Sequence, residues 1–197
     1  MSPRLFLTAA LMLSAGAGTA LAAAPAFDCR KATGEIQPLI CGTPELSALD
    51  RRASEVFAQA LPKTDSRGRA RLRAEQRGWI KGRDDCWKAD DKPACVKDAY
   101  VRRIAELQAT YRLVPAIGPV RFQCDGNAAK EVVATFFRTD PPTAVAEFGD
   151  QSSMMYAAPS GSGARYVGRN EQFWEHQGEA RVTWGYGAPE MVCRKRP

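Results

Sequence analysis

The chain from Ser160 to Ala180 reads SGSGARYVGRNEQFWEHQGEA. A turn of serine and glycine at residues 160–163 precedes a strand-like run that ends in Phe173-Trp174, and a second polar turn follows at residues 175–178. Glycine permits the positive φ angles of a tight, protruding turn, and the serines beside it offer hydroxyl groups that no bulky neighbour covers. The stretch therefore predicts two exposed turns joined by a hairpin.

Alternating apolar and polar residues surround this hairpin on both sides. Short runs of this kind, each bounded by Gly, Asp, Pro or Asn, predict an antiparallel sheet that closes on itself or packs as a sandwich. The predicted strands are Val120–Cys124, Val132–Arg138, Thr143–Phe148, Ser153–Ala157, Ala164–Val167, Glu171–Glu175 and Ala180–Tyr186.

The string SGARY at Ser162–Tyr166, followed by Phe173-Trp174 and Ala180, resembles the signature of the MliC family, the membrane-bound inhibitors of C-type lysozyme. The resemblance covers residues 117–197 and implies an eight-stranded antiparallel β-barrel. In that family the serine that opens SGARY and a lysine fourteen positions later, in an F-W-x-K-G turn, enter the lysozyme cleft. Here the fourteenth position holds His176, and the glycine follows one residue late.

The resemblance assigns the site residues and the partner. The inhibitory loop is expected at Ser160, Gly161, Ser162, Gly163, Arg165 and Tyr166. The second inhibitory turn is expected at His176 and Gln177, and the supporting pair is expected to be Phe173 and Trp174. The implied partner is a C-type lysozyme, whose two catalytic carboxylates would receive the serine hydroxyl and the imidazole.

Residues 25–113 have a different period. Apolar residues recur at helical spacing from Pro44 to Leu61, from about Arg69 to Trp87 and from Val96 to Tyr111, which predicts a small bundle of three helices. Trp79 and Trp87 are expected in its core. A linker with two prolines is predicted at 114–119, before a second domain at 120–197. The predicted class is therefore α+β with two domains.

The helical part also resembles a known family. Phe27-Asp28-Cys29, Ile40-Cys41, Pro44-Glu45-Leu46 and the run QRGWIKGRDDC at 76–86 are similar to the N-terminal domain of the lysozyme inhibitor LprI. This similarity covers residues 27–111. It supplies no residue with a chemical role, and Gln76 and Arg83 are interpreted as partners for caps and neighbouring acids.

Six cysteines lie beyond a predicted signal peptide at residues 1–24, which has an apolar run and an A-x-A cleavage pattern. An exported chain favours disulfides over zinc, and the single histidine and the lack of a CxxC spacing disfavour a metal site. Pairing within domains predicts Cys124–Cys193, worth roughly 4 kcal/mol in the chain-entropy model. Cys29, Cys41, Cys86 and Cys95 would pair among themselves, with three connectivities open.

Charge and compartment limit the partners. Residues 25–115 hold 18 Lys/Arg and 13 Asp/Glu, whereas residues 116–197 hold nine of each. The basic residues of the first half alternate with acids, which is typical of solvated helical faces, and no nucleic-acid partner is expected. No lipidation box precedes Cys29, so the mature chain is expected to be periplasmic or secreted, without membrane insertion.

No motif indicates an enzyme or a cofactor: there is no G-x-S-x-G elbow and no glycine-rich phosphate loop, and the one histidine lacks a matching nucleophile. The resulting hypothesis is a C-type lysozyme inhibitor that inserts its loops into the cleft. The alternative is a periplasmic binding or envelope-scaffold module that uses the groove of the first domain and lacks strong inhibition.

Overall fold

The computed structural model describes residues 23–196, and most of the predicted signal peptide lies outside them. The first part is helical, and its four helices are α1 (Ile36–Gly42), α2 (Pro44–Ala60), α3 (Ser66–Asp84) and α4 (Lys92–Thr110). Short 3-10 turns lie at Cys29–Lys31, Leu61–Lys63 and Asp85–Lys88. No helix of this described part is long and apolar enough to cross a membrane.

The starts of the helices follow from residues that supply caps. Pro44 occupies the first position of α2. A backbone N–H at this position would have no partner within the helix, so the lack of one in proline costs nothing. The Asp65 carboxylate accepts the N–H of Gly68 at 2.7 Å and caps α3, and Asp91 does the same for Ala94 at 3.0 Å before α4. Helix α1 was not predicted, because Pro38 interrupts the apolar spacing of a very short segment.

A buried polar network joins three of the helices. The Tyr100 hydroxyl of α4 donates to Asp50 of α2 at 2.7 Å and accepts from Arg83 of α3 at 2.6 Å. Burial raises the pKa of Tyr100 far above its usual range, so the phenol stays neutral and can donate to the Asp50 carboxylate. Each member has its partners, which is the condition for a polar group in a core.

Disulfides fasten the ends of this bundle. Cys29 is joined to Cys41, so the 3-10 turn at the start of the bundle is tied to α1. Cys86 is joined to Cys95, which ties the end of α3 to α4. These two bonds select one of the three connectivities that the sequence left open. Both link residues close in sequence, so each closes a short loop at a helix junction.

The second part is a closed antiparallel barrel in which each strand pairs with the next along the chain and the last pairs with the first. Cys124 and Cys193 face each other across this final pair and form the third disulfide. The predicted fold class, a helical bundle followed by an eight-stranded barrel, is confirmed. The strands are β1 (Ala116–Cys124), β2 (Glu131–Phe137), β3 (Thr143–Phe148), β4 (Gln151–Ala158), β5 (Ala164–Val167), β6 (Glu171–His176), β7 (Glu179–Trp184) and β8 (Met191–Lys195).

Three details differ from the sequence-based predictions. Strand β1 begins at Ala116, inside the predicted linker 114–119. Pro119 has no backbone N–H to donate to β2, but it lies at a register shift in the β1–β2 pairing, so the strand tolerates it. Strand β8 was not among the predicted runs. Trp87 is 51% exposed and is not a core residue, whereas Trp79 packs edge-on against Tyr100 with ring centroids 5.4 Å apart.

The two domains meet where α4 packs on β3 and β4. The Tyr156 hydroxyl of β4 donates to the Arg102 carbonyl of α4 at 3.1 Å, and the Arg102 guanidinium lies 4.9 Å from the centre of the Tyr156 ring. Burial, reinforced by Glu106, raises the pKa of Tyr156 to about 12. Tyr156 lies near the end of β4, four residues before Ser160, so α4 contacts the barrel close to the serine-glycine loop.

We expect Tyr156→Phe to lower the free energy of unfolding by about 1 kcal/mol at pH 8, because one hydrogen bond is lost. The folded-state pKa of Tyr156 is raised above its usual value near 10, so its contribution is complete below that value and is lost as the pH rises through about 12. Denaturant unfolding of both proteins at pH 8 and at pH 11 should therefore show the difference shrinking at the higher pH. A difference that stays constant would mean that the hydroxyl does not hold the domains together.

Candidate functional site

The serine-glycine loop between β4 and β5 has two serines with different roles. The Ser160 hydroxyl donates to the Ser162 carbonyl at 2.5 Å, so it orders the loop itself. The Ser162 side chain is exposed, and its hydroxyl has no hydrogen-bond partner among residues 23–196. A free hydroxyl on an ordered loop can donate to or accept from a partner molecule.

Gly163 fixes the loop against the neighbouring strand. Its φ is +66°, and a Cβ atom built on it would lie 2.1 Å from the Glu175 carbonyl oxygen and 3.0 Å from the His176 Cβ. Only glycine permits such a close approach to the backbone of β6. Gly161, for which the same freedom was predicted, lies in open space and does not have a positive φ.

The second turn is a two-residue hairpin. His176 pairs with Glu179, and the residues between them, Gln177 and Gly178, have φ of +54° and +85°. Positive φ at both central positions is the signature of a type I′ turn, which matches the twist of the flanking strands. The glycine that falls one residue late in the sequence therefore occupies the second turn position, and His176 lies at the end of β6.

Trp174 connects the two turns. Its indole N–H donates to the Ser162 carbonyl at 2.8 Å. Side chains alternate along a strand, so Trp174 and His176 point to the outer face of the barrel. Phe173 points to the inside and is fully buried in the barrel core. The outcome is one shallow pocket of about 250 Å³, which we call the Ser162 pocket. It is lined by Ser162, Trp174, His176, Gln177, Glu179 and Arg181.

Other members of the predicted loop have supporting positions. Arg165 of β5 donates to the Gln172 side chain at 3.0 and 2.6 Å, so its guanidinium is held along the barrel wall. Tyr166 is half-buried and packs on Phe136 with ring centroids 5.4 Å apart, and this burial raises the pKa of its hydroxyl. Phe173 meets the Phe122 ring edge-on at 5.3 Å. These residues stabilise the barrel under the loop.

Two residues that line the Ser162 pocket were not predicted from the sequence. Arg181 of β7 lies directly opposite Trp174, and Glu179 lies opposite His176. Arg181 makes an exposed ion pair with Glu190 at 2.9 Å, and Glu179 lies 3.9 Å from Arg194. Once the two-residue turn at Gln177-Gly178 is known, counting outward from it pairs His176 with Glu179 and Trp174 with Arg181. The sequence alone did not specify this turn type.

The helical domain has a cavity of its own. Its volume is about 470 Å³, within the range of small-molecule sites. Phe27, Phe57 and Trp79 form apolar walls, and Asp50 and Arg83 of the buried network lie at its floor. Gln76 lines it too and accepts a hydrogen bond from Arg103 at 3.0 Å. This cavity is the groove on which the alternative function would depend.

Comparison with known proteins gives two family matches in the same order along the chain. Residues 29–109 match the family described as lysozyme inhibitor LprI, and residues 122–191 match MliC, the membrane-bound lysozyme inhibitor of c-type lysozyme. Lipoprotein LprI from Mycobacterium bovis and from Mycobacterium tuberculosis is 33% identical over 194 residues, which is 95% of this chain and 96% of the relative. The chain belongs to the LprI family. It therefore combines two domains that are both assigned to lysozyme inhibitors.

The family descriptions agree with the expected partner and compartment in general terms. Both matched families are inhibitors of lysozyme, one is described as membrane-bound, and the mycobacterial relatives are named lipoproteins. The comparisons thus associate the chain with lysozyme inhibition and with the cell envelope. In this chain the sulfur of Cys29 is joined to Cys41.

Gly163→Ala should destabilise the protein by more than about 1 kcal/mol, since the new methyl group meets the Glu175 carbonyl and the residue must keep a left-handed conformation. Gly161→Ala is the matched control, because nothing lies within 4 Å of its Cβ position. Thermal unfolding of the oxidised proteins gives both values. Equal stability of the two variants would show that the loop does not lie against β6.

Proposed function

We propose that this protein inhibits C-type lysozyme by inserting the Ser160–Tyr166 loop and the His176 turn into the active-site cleft. One observation carries the proposal: Ser162 and His176, fourteen residues apart, line the same pocket on one edge of the barrel. The family membership supports the activity and the target. The geometry supports the choice of residues.

The chemistry of the target fits this edge. A C-type lysozyme is a retaining glycosidase with one carboxylic acid kept neutral in an apolar pocket and one ionised carboxylate nearby. The Ser162 hydroxyl, which has no partner within residues 23–196, can accept from the acid or donate to the carboxylate. An imidazolium at His176 can satisfy the ionised group. Charge-assisted hydrogen bonds of this kind contribute roughly 1.5–3 kcal/mol each.

The loop is ordered before binding. Ser160 and Trp174 both donate to the Ser162 carbonyl, and Gly163 holds the loop against β6. A rigid loop loses little conformational entropy when it binds, so more of the contact energy appears as affinity. Long-range charge contributes little, because residues 116–197 hold equal numbers of basic and acidic side chains. Affinity should therefore depend on local fit.

Titrating lysozyme activity on cell walls with the purified protein separates inhibition from the alternative, a binding or scaffold module of the cell envelope. Inhibition that saturates at one inhibitor per lysozyme supports the proposal. Activity that stays unchanged at a large excess of this protein would favour the alternative, for which the cavity beside Trp79 is the candidate site.

Ser162→Ala should weaken inhibition at least tenfold, which corresponds to about 1.4 kcal/mol. The melting temperature should change by no more than a degree or two, because the hydroxyl has no partner in the free protein among residues 23–196. Ser160→Ala is the comparison variant, since it removes the hydrogen bond that orders the loop while leaving Ser162 in place. Unchanged inhibition by Ser162→Ala would mean that the loop is an ordinary turn.

His176 makes inhibition depend on pH. Histidine changes its charge between about pH 5 and 8. Beside an ionised carboxylate of lysozyme the imidazole holds its proton more tightly, so the complex carries more protons than the separate proteins. Binding is then favoured at low pH and this contribution is lost as the pH rises. The charged side chains that line the Ser162 pocket together with His176 in the free protein are Glu179 and Arg181.

Inhibition should be tighter near pH 6 than near pH 8, and His176→Lys should inhibit at least as well as the wild type at pH 8 with a flatter profile. Inhibition constants for wild type, His176→Lys and His176→Ala at both pH values test this. If His176→Ala equals the wild type at pH 6, the cation comes from another side chain, and Arg181 is the arginine that lines the Ser162 pocket.

A further inference from the structure

Helix α3 carries a row of basic residues that the inhibitor function does not use. Arg73, Arg77 and Lys81 are exposed and follow one another at intervals of four residues, so they lie in one row along the helix. None of the three forms an ion pair with an acid of residues 23–196. Like charges at this spacing repel, so the row does not stabilise the helix.

The nearby acids are engaged elsewhere. Asp84 accepts two hydrogen bonds from the buried Arg83, at 3.0 and 2.7 Å. Asp85 pairs with Lys88 at 2.6 Å, and Glu75 lies 3.7 Å from Arg71. The positive charge of the row is therefore not neutralised by its own neighbourhood. An anionic partner would complement it.

Two large apolar side chains share this surface. Ile80 is 36% exposed and lies seven residues after Arg73, close to two helical turns, so it lies at the edge of this face, between the basic row and the cavity that it also lines. Trp87 is 51% exposed and follows seven residues later, in the 3-10 turn that continues the helix. Lys88 lies over its indole ring with the ammonium 5.4 Å from the centroid. Ile80 also lines the cavity beside Trp79, whereas Trp87 lines neither that cavity nor the hydrophobic core of the helical domain.

We propose that the face formed by Arg73, Arg77, Ile80, Lys81 and Trp87 docks on an anionic phospholipid membrane. Tryptophan favours the level of the lipid headgroups, and Lys and Arg beside it reach the phosphates while apolar side chains enter the boundary with the acyl chains. A soluble polyanion that used the basic row alone would leave the Trp87 indole in water. This docking is peripheral, lies in the helical domain and does not depend on lysozyme inhibition.

Sedimentation of the full chain with vesicles tests the proposal. Vesicles of phosphatidylcholine alone should bind weakly, and vesicles with about a third phosphatidylglycerol should bind at least tenfold more protein. Each basic side chain near such a surface strengthens binding by about fivefold. The triple variant Arg73→Gln, Arg77→Gln, Lys81→Gln should therefore bind about a hundredfold more weakly.

The matched control is Arg138→Gln, Arg169→Gln, Lys195→Gln, which removes the same charge from exposed positions of the barrel. It should lose no more than a few-fold, and equal losses in the two triple variants would overturn the proposal. Trp87→Ala should weaken vesicle binding about tenfold without affecting binding to a single-stranded oligonucleotide. If Trp87→Ala binds the vesicles as the wild type does, the basic row serves a soluble polyanion and the membrane proposal is wrong.

Discussion

The hydrogen bond from the Trp174 indole to the Ser162 carbonyl is the interaction on which the candidate site depends. It joins the serine-glycine loop to β6, and the absence of a side chain at Gly163 lets the two backbones approach closely enough for it to form. Ser162 and His176 come together on one edge of the barrel as a consequence. In the proposed complex, a loop without this contact would have to be ordered on binding, at the expense of affinity.

Closure of the barrel stabilises the edge that carries Ser162 and His176. The pairing of β1 with β8, with a disulfide between Cys124 and Cys193, leaves no free strand edge, and the rings of Phe122 and Phe173 pack inside. Helix α4 packs on the outside near the same end through Tyr156 and Arg102. The helical domain is thus placed beside the loop while its basic α3 face remains available. The proposed inhibition and the proposed membrane docking therefore lie on two different domains of one chain.

The sequence predicted the parts of the fold that depend on periodicity. Alternation identified β2, β3 and β5, and the glycine at 163 was expected to have positive φ. Strand β8 is short, and its first three residues, Met191–Cys193, are all apolar although only Met191 and Cys193 are buried, so the sequence shows no alternation there.

The close approach at Gly163 is a tertiary contact that no local pattern encodes, and the pairing of Trp174 with Arg181 follows only once the turn at Gln177-Gly178 is known. The outward position of Trp87 likewise depends on the 3-10 turn that ends α3.

Competition for the lysozyme cleft tests the central claim most directly. Binding of the full chain to a C-type lysozyme should be measured with and without an oligosaccharide of N-acetylglucosamine that fills the cleft. Insertion of the Ser162 edge predicts mutually exclusive binding, with an apparent Kd that rises in proportion to the oligosaccharide concentration. An apparent Kd that does not change, with inhibitor and oligosaccharide bound to the same lysozyme, would contradict the account.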